Sequence, residues 1–118
     1  MILVDTSVWI DHLRKTNYGL IDLLDQTQVV MHPWIIGEIS LVNLKNRKEI
    51  ISLQKALPSI EVIPDDEVIH LIETKKIMGK GIGWIDAQLL AAALIAGTPL
   101  WSNDKNLRAL AAAFGVLY

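Results

Sequence analysis

Short apolar runs alternate along this chain with longer stretches in which apolar residues recur every three or four positions. The runs fall at residues 2–4, 29–31, 60–63 and 99–101, with a further one at 116–118. Each is short enough to be a strand, and strands covered on both faces read as near-continuous apolar runs. Between them the spacing predicts helices. Thr6 or Ser7 can cap one that runs to about Lys15, and residues 18–25 form a short second. Pro33 suits the first position of a helix over 33–44. Another covers 48–57 and is stopped by Pro58. Pro64-Asp65-Asp66-Glu67 places three acids at a helix start, where the backbone dipole favours them, and Gly79 ends that helix. Gly83 introduces the longest apolar helix, "WIDAQLLAAALIA", closed by Gly97. Asn103 or Asp104 starts the last, closed by Gly115.

Apolar strands alternating with helices predict an α/β fold, a mostly parallel sheet covered on both faces. In such folds the binding crevice lies outside the carboxyl ends of the strands, where strand order reverses. Asp5 and Asp104 both fall just beyond a predicted strand.

At 118 residues the chain has the size of one domain, 1–118, and no internal repeat or linker interrupts it. Apolar residues make up 52% and charged residues 20%, the balance of a compact globule, and mean hydropathy is +0.36. There is no cysteine, which excludes disulfides, zinc–thiolate sites and thiol nucleophiles. No apolar run reaches the roughly 18 residues of a membrane span, and Met1 leads straight into a strand rather than a signal peptide. The cytoplasm is the expected compartment. Net charge is −2, so the chain as a whole does not advertise a polyanion partner. Two basic clusters, Lys45/Arg47/Lys48 and Lys75/Lys76/Lys80, read either as solvated surface or as phosphate-facing patches.

The 13 acids separate by their helical neighbours. Asp11 has Arg14 and Lys15 in reach, Glu49 has Lys45, and Glu73 has Lys76. Asp22 and Asp25 lie in polar sequence, Glu61 takes the exposed position of a strand, and Asp65, Asp66 and Glu67 open a helix. Four acids lack such an explanation. Glu38 is surrounded at helical spacing by Trp34, Ile35, Leu41 and Val42, and Asp86 by Ile82, Gly83, Leu89 and Leu90. Asp104 follows Leu100 and Trp101, with Arg108 in reach. Asp5 interrupts "ILVDTSVWI". Asp5, Asp86 and Asp104 each sit where an Asp can cap a helix, a role worth about 1 kcal/mol. Glu38 has no such role. Four poorly neutralised carboxylates also fit a shared cation. Oxygen-only ligands select a hard ion, magnesium or manganese, held by few carboxylates and several waters. His12, His32 and His70 are too scattered for a zinc site, and the four tryptophans sit in apolar stretches that suit a core, with one or two at the crevice edge free to touch a partner.

"VDTSVWID", "GEI", "GWIDAQLLAAAL" and "LWSNDKNL", in this order over essentially the whole chain, resemble the PIN domain, and most of all the VapC toxins of toxin–antitoxin pairs. The resemblance implies a PIN-like three-layer fold with a five-stranded, mostly parallel sheet and about seven helices. It implies an Mg²⁺- or Mn²⁺-dependent ribonuclease that hydrolyses RNA phosphodiester bonds, with Asp5, Glu38, Asp86 and Asp104 as metal-binding and catalytic residues. Thr6, Ser7, Ser102 and Asn103 would hold a phosphate oxygen or a metal-bound water. Members differ in which polar residue of the last block approaches the metal, so Asn103 and Asp104 are both candidates. With no metal the four carboxylates repel, and raised pKa values are expected among them. A VapB-type antitoxin is the implied partner, an arginine-bearing segment being the apt occupant of an acidic crevice. A homodimer, and a heterotetramer or larger with antitoxin, is implied too.

Competing readings are a haloacid-dehalogenase-type phosphohydrolase, which wants a second Asp where Ser7 stands, and a phosphoacceptor receiver domain. The receiver wants an acidic pair before the first helix and a lysine after the last strand, and neither is here. Within the family, an inactive PIN-type binding module and a non-toxin PIN ribonuclease of RNA processing are the alternatives.

Overall fold

The computed structural model describes all residues, 1–118. Three strands, β1 (Ile2–Val4), β2 (Val29–Val30) and β3 (Leu100–Trp101), form a parallel sheet in the order β2-β1-β3. Ile2 pairs with Val29 and Leu3 with Val30 on one side of β1, while Leu3 pairs with Leu100 and Val4 with Trp101 on the other. The chain leaves β1 toward β2 and then crosses back to β3. Strand order therefore reverses at β1, and the crevice lies beyond the ends of β1 and β3.

Seven helices surround the sheet: α1 (Thr6–Arg14), α2 (Tyr18–Asp25), α3 (Pro33–Ser40), α4 (Arg47–Ala56), α5 (Asp65–Lys75), α6 (Trp84–Ala96) and α7 (Lys105–Ala113). The centre is α6. It is buried over seven consecutive residues from Ala87 to Ala93, because it is apolar on every side and packs against α5, α7 and β3. Leu3, Val4, Val8, Trp9, Ile35, Ile39 and Leu100 complete a core of 25 buried residues.

The expected five strands are three. The outer two are reduced to single bridges, Met31 with Ser59 beside β2 and Leu100 with Leu117 beside β3. Both pairings run out of partner. His32 already caps α3, its Nδ1 accepting the Trp34 N–H at 3.1 Å, so the segment after Ser59 has no backbone to continue along. Glu61 and Val62 accordingly stand exposed rather than on a strand.

Helix ends also depart from the pattern. Residues 33–44 do not stay helical: α3 stops at Ser40, where Ser40 Oγ donates back to the Gly37 carbonyl (2.6 Å) and Arg47 Nε donates to the Ser40 carbonyl (2.8 Å). α5 ends at Lys76, which adopts the left-handed conformation (φ 53°), three residues short of Gly79. Gly97, at φ 64°, does end α6 as expected.

Candidate functional site

Asp5 follows β1 directly and occupies the N-cap position of α1, yet its side chain caps nothing. It is buried, at 4% exposure, and its Oδ2 accepts two hydroxyl hydrogen bonds, from Ser7 at 2.7 Å and from Ser102 at 2.8 Å. Neither Thr6 nor Ser7 caps α1. Ser7 points inward because α1 starts at Thr6, which leaves Ser7 a half-turn from the carboxylate, and Ser102 arrives from the end of β3. Asp5 is thus held by neutral donors, and no cation pairs with it.

Glu38 lies in the second half of α3, half-buried, and Thr6 Oγ1 donates to its Oε1 at 2.7 Å. The bond joins α1 to α3 across the crevice. Thr6 and Ser7, adjacent in sequence, thereby orient two different carboxylates.

Asp86 is in the first turn of α6, half-buried. Its carboxyl is pushed up to about 6, chiefly by burial and then by the negative charge of Asp5. A hydrogen bond from the Gly83 backbone works the other way, and Asp104 and Glu38 push it further up. Every charged neighbour acting on it is an acid. The four carboxylates that the sequence leaves unexplained therefore share one electrostatic environment.

Asp104 does act as a cap. Its Oδ2 accepts the Leu107 N–H at 2.8 Å, and it is exposed at the crevice rim. Beside it, the Asn103 N–H donates to Ser7 Oγ (3.0 Å), which laces the loop after β3 to the first turn of α1, and the Asp104 N–H donates to Ser102 Oγ (3.0 Å) within that loop. Arg108 does not neutralise Asp104. Its guanidinium donates to the Ser102 carbonyl at 2.9 Å.

One residue that the pattern assigns to ordinary surface pairing belongs here. Asp11 accepts a 2.7 Å hydrogen bond from Asn103 Nδ2. The signal for it in the sequence is its position four residues after Ser7, on the same face of α1. The histidines do structural work: His32 caps α3, His12 Nδ1 accepts the Asn17 N–H (2.9 Å), and burial lowers the pKa of both. Of the tryptophans, only Trp9 is fully buried, and Trp34 and Trp84 are exposed.

No three acidic or histidine side chains converge closely enough to make a ready-built metal cage. The donor set nevertheless suits a hard divalent ion. It consists of acceptor-only carboxylates, without cysteine, and their mutual repulsion shows in Asp86. Magnesium in particular binds through one or two carboxylates and retains several waters, so a full protein cage is not required.

The PIN domain family model matches residues 2–113. Ribonuclease VapC32 of Mycobacterium tuberculosis, from strain CDC 1551 / Oshkosh and from strain ATCC 25618 / H37Rv, is in each case 42% identical to this chain over 117 residues. The match covers 98% of this chain and 94% of each relative. On these matches, which span nearly the whole chain, this chain belongs to the PIN domain family.

Proposed function

We propose that this protein, a single PIN domain over residues 1–118, is a VapC-type toxin: a divalent-metal-dependent ribonuclease that hydrolyses phosphodiester bonds of RNA in the cytoplasm. The observation that carries the site assignment is the raised Asp86 carboxyl, whose charged neighbours are Asp5, Asp104 and Glu38 and include no cation. Such repulsion is tolerated in a native fold where it serves a function, and a cation relieves it.

In this reading Asp5, Glu38 and Asp86 hold Mg²⁺ or Mn²⁺, and Asp104 orients water or shares a second ion. The ion, when bound, supplies positive charge to the phosphate and makes water a nucleophile near neutral pH. The chain's own residues do the rest. Ser7 and Ser102 fix the Asp5 carboxylate through Oδ2 and Thr6 fixes Glu38 through Oε1, which leaves the other oxygen of each free of those bonds. Asn103 and the hydroxyls line the rim as donors to a phosphate oxygen or an ordered water. A VapB-type antitoxin is the regulatory partner, and its arginine would pair with the acids bidentately. A homodimer, joined by antitoxin into a heterotetramer or larger, completes the assembly.

The deciding experiment is RNA cleavage with and without EDTA beside an Asp5→Asn variant. Loss of cleavage in both is expected. Equal cleavage by Asp5→Asn would remove the activity from this site.

A further inference from the structure

Trp34, Glu38 and Leu41 stand at positions i, i+4 and i+7 of α3 and its C-cap, so they share one stripe of the helix surface. An open groove of about 470 Å³ runs along that stripe, lined by Trp34, Gly37, Glu38, Ser40, Leu41 and Ile85 among others. Its volume lies within the roughly 300–1,000 Å³ of small-molecule sites. Glu38 belongs at once to this groove and to the acidic crevice, and Ile85 precedes Asp86, so the groove opens directly off the site. It is open at Gly37, where an added Cβ would meet nothing within 4 Å. Trp34 is 38% exposed and Leu41 87%. Burial in the core does not explain a tryptophan placed there.

The far end of the groove is basic. Arg47 Nε is bonded to the Ser40 carbonyl, itself on a groove residue, which pins the start of α4 against the end of α3. There Lys45, Asn46, Arg47 and Lys48 surround a hydrophilic recess of about 360 Å³, with Glu49 the one acid among them. Asn46, the N-cap of α4, makes no side-chain capping bond, so free backbone N–H groups add to the positive field. Along α3 the order is thus Trp34, then the acid Glu38, then Ser40 with the basic recess held to it by Arg47.

We propose that Trp34 is a base-stacking platform: a single RNA strand lies along α3 across Glu38, with a nucleobase on one side of the cleavage point laid on the Trp34 indole and phosphates on the other side set against Lys45, Arg47 and Lys48. This rests on the proposed function, since the acids mark where the strand is cut. A nucleic acid suits the sequence of surfaces better than a protein partner. An aromatic plane beside a cationic track is how single strands are bound without base-specific hydrogen bonds. An apolar protein contact would instead leave the basic recess unused.

The test uses the full chain and a ten-nucleotide RNA carrying 2-aminopurine, titrated with calcium as the divalent ion. The wild type is expected to quench the fluorophore on binding. Trp34→Ala should weaken binding by about tenfold or more and lose the quench, while Trp34→Phe retains most of both. Gly37→Leu fills the groove without removing any packed atom and should act like Trp34→Ala. Replacing Lys45 and Lys48 by Ala should flatten the dependence of log Kd on log salt by about 0.7 for each phosphate no longer neutralised. Absence of quenching in the wild type, or quenching that survives Trp34→Ala and Gly37→Leu, overturns the proposal. So does sedimentation showing that Trp34→Ala dissociates a dimer while RNA binding stays intact, because the face would then be a contact between copies. Failure of the underlying site assignment reads separately, as undiminished RNA cleavage by Asp5→Asn.

Discussion

Ser102 Oγ donates to Asp5 Oδ2 at 2.8 Å, tying the end of β3 to the end of β1 across 97 residues of sequence. The same hydroxyl accepts the Asp104 N–H at 3.0 Å, so one buried side chain sets both the central carboxylate and the start of α7. Ser102→Ala should cost about 1.5–3 kcal/mol of stability, the range for a buried hydrogen bond to a charged group. Urea denaturation measures it. RNA cleavage should fall as well, and a variant as stable and active as the wild type would show that Asp5 does not depend on Ser102.

Asp86 makes stability depend on pH in an unusual direction. Its carboxyl is raised from 3.8 to about 6 in the folded protein. Between those values the folded state holds a proton that the unfolded state has released, so this group's contribution to stability falls as pH rises and is fully lost above 6. The melting temperature of the wild type should therefore carry a declining component from about pH 4 to about 6 that Asp86→Asn lacks. Identical profiles for the two proteins would contradict the assignment.

A divalent ion should reverse that loss at neutral pH. Binding to the native state alone stabilises it by mass action, about 2.7 kcal/mol when the ion is at a hundred times its Kd. Melting in Mg²⁺ or Mn²⁺ against EDTA is the measurement. A shift in the wild type that disappears in Asp86→Asn is expected, and a melting temperature indifferent to metal counts against the site.

The two roles open to Asp104 can be parted by substitution. Asp104→Asn keeps a side-chain oxygen for the Leu107 N–H, and Asn caps about as well as Asp, so stability should hold, whereas Asp104→Ala should lose about 1 kcal/mol. If Asp104 serves the metal, both variants lose cleavage alike. Full activity in Asp104→Asn would leave it a cap only.

Thr6→Val nearly preserves volume but removes the donor to Glu38 Oε1. Glu38 is half-exposed and water can replace the hydroxyl, so the stability loss should stay near 0.5–1.5 kcal/mol. Cleavage should drop more than stability does, seen as a lower kcat with the fold intact by circular dichroism.

Asp5 and Glu38 were legible because each breaks a local rule. Asp5 interrupts an apolar strand, and Glu38 has only apolar neighbours at helical spacing. Such violations stand out where a carboxylate is expected to be paired or solvated. Helices were legible for the opposite reason, since Gly97 and Pro33 obey local rules for ends and starts. What sequence could not show depends on partners far away. Whether residues 60–63 form a strand is decided by how little backbone β2 leaves free, not by their own apolar content. Asp11 looked paired with Arg14 and Lys15, and only the arrival of Asn103 92 residues later gives it another partner. Asp104 satisfied the capping rule and lies at the crevice rim as well, so a rule obeyed locally did not exclude a place at the site.

The Asp5–Ser102 bond also bears on when the crevice is completed. One partner lies near the first residues and the other near the last strand, so the bond has almost the largest loop to close that the chain offers, and pairings of that kind form late in folding. Helices α1 to α5 can assemble around their own neighbours beforehand without ever completing the crevice. The crevice therefore exists only once the chain has been made through β3, whose arrival brings Ser102 to Asp5.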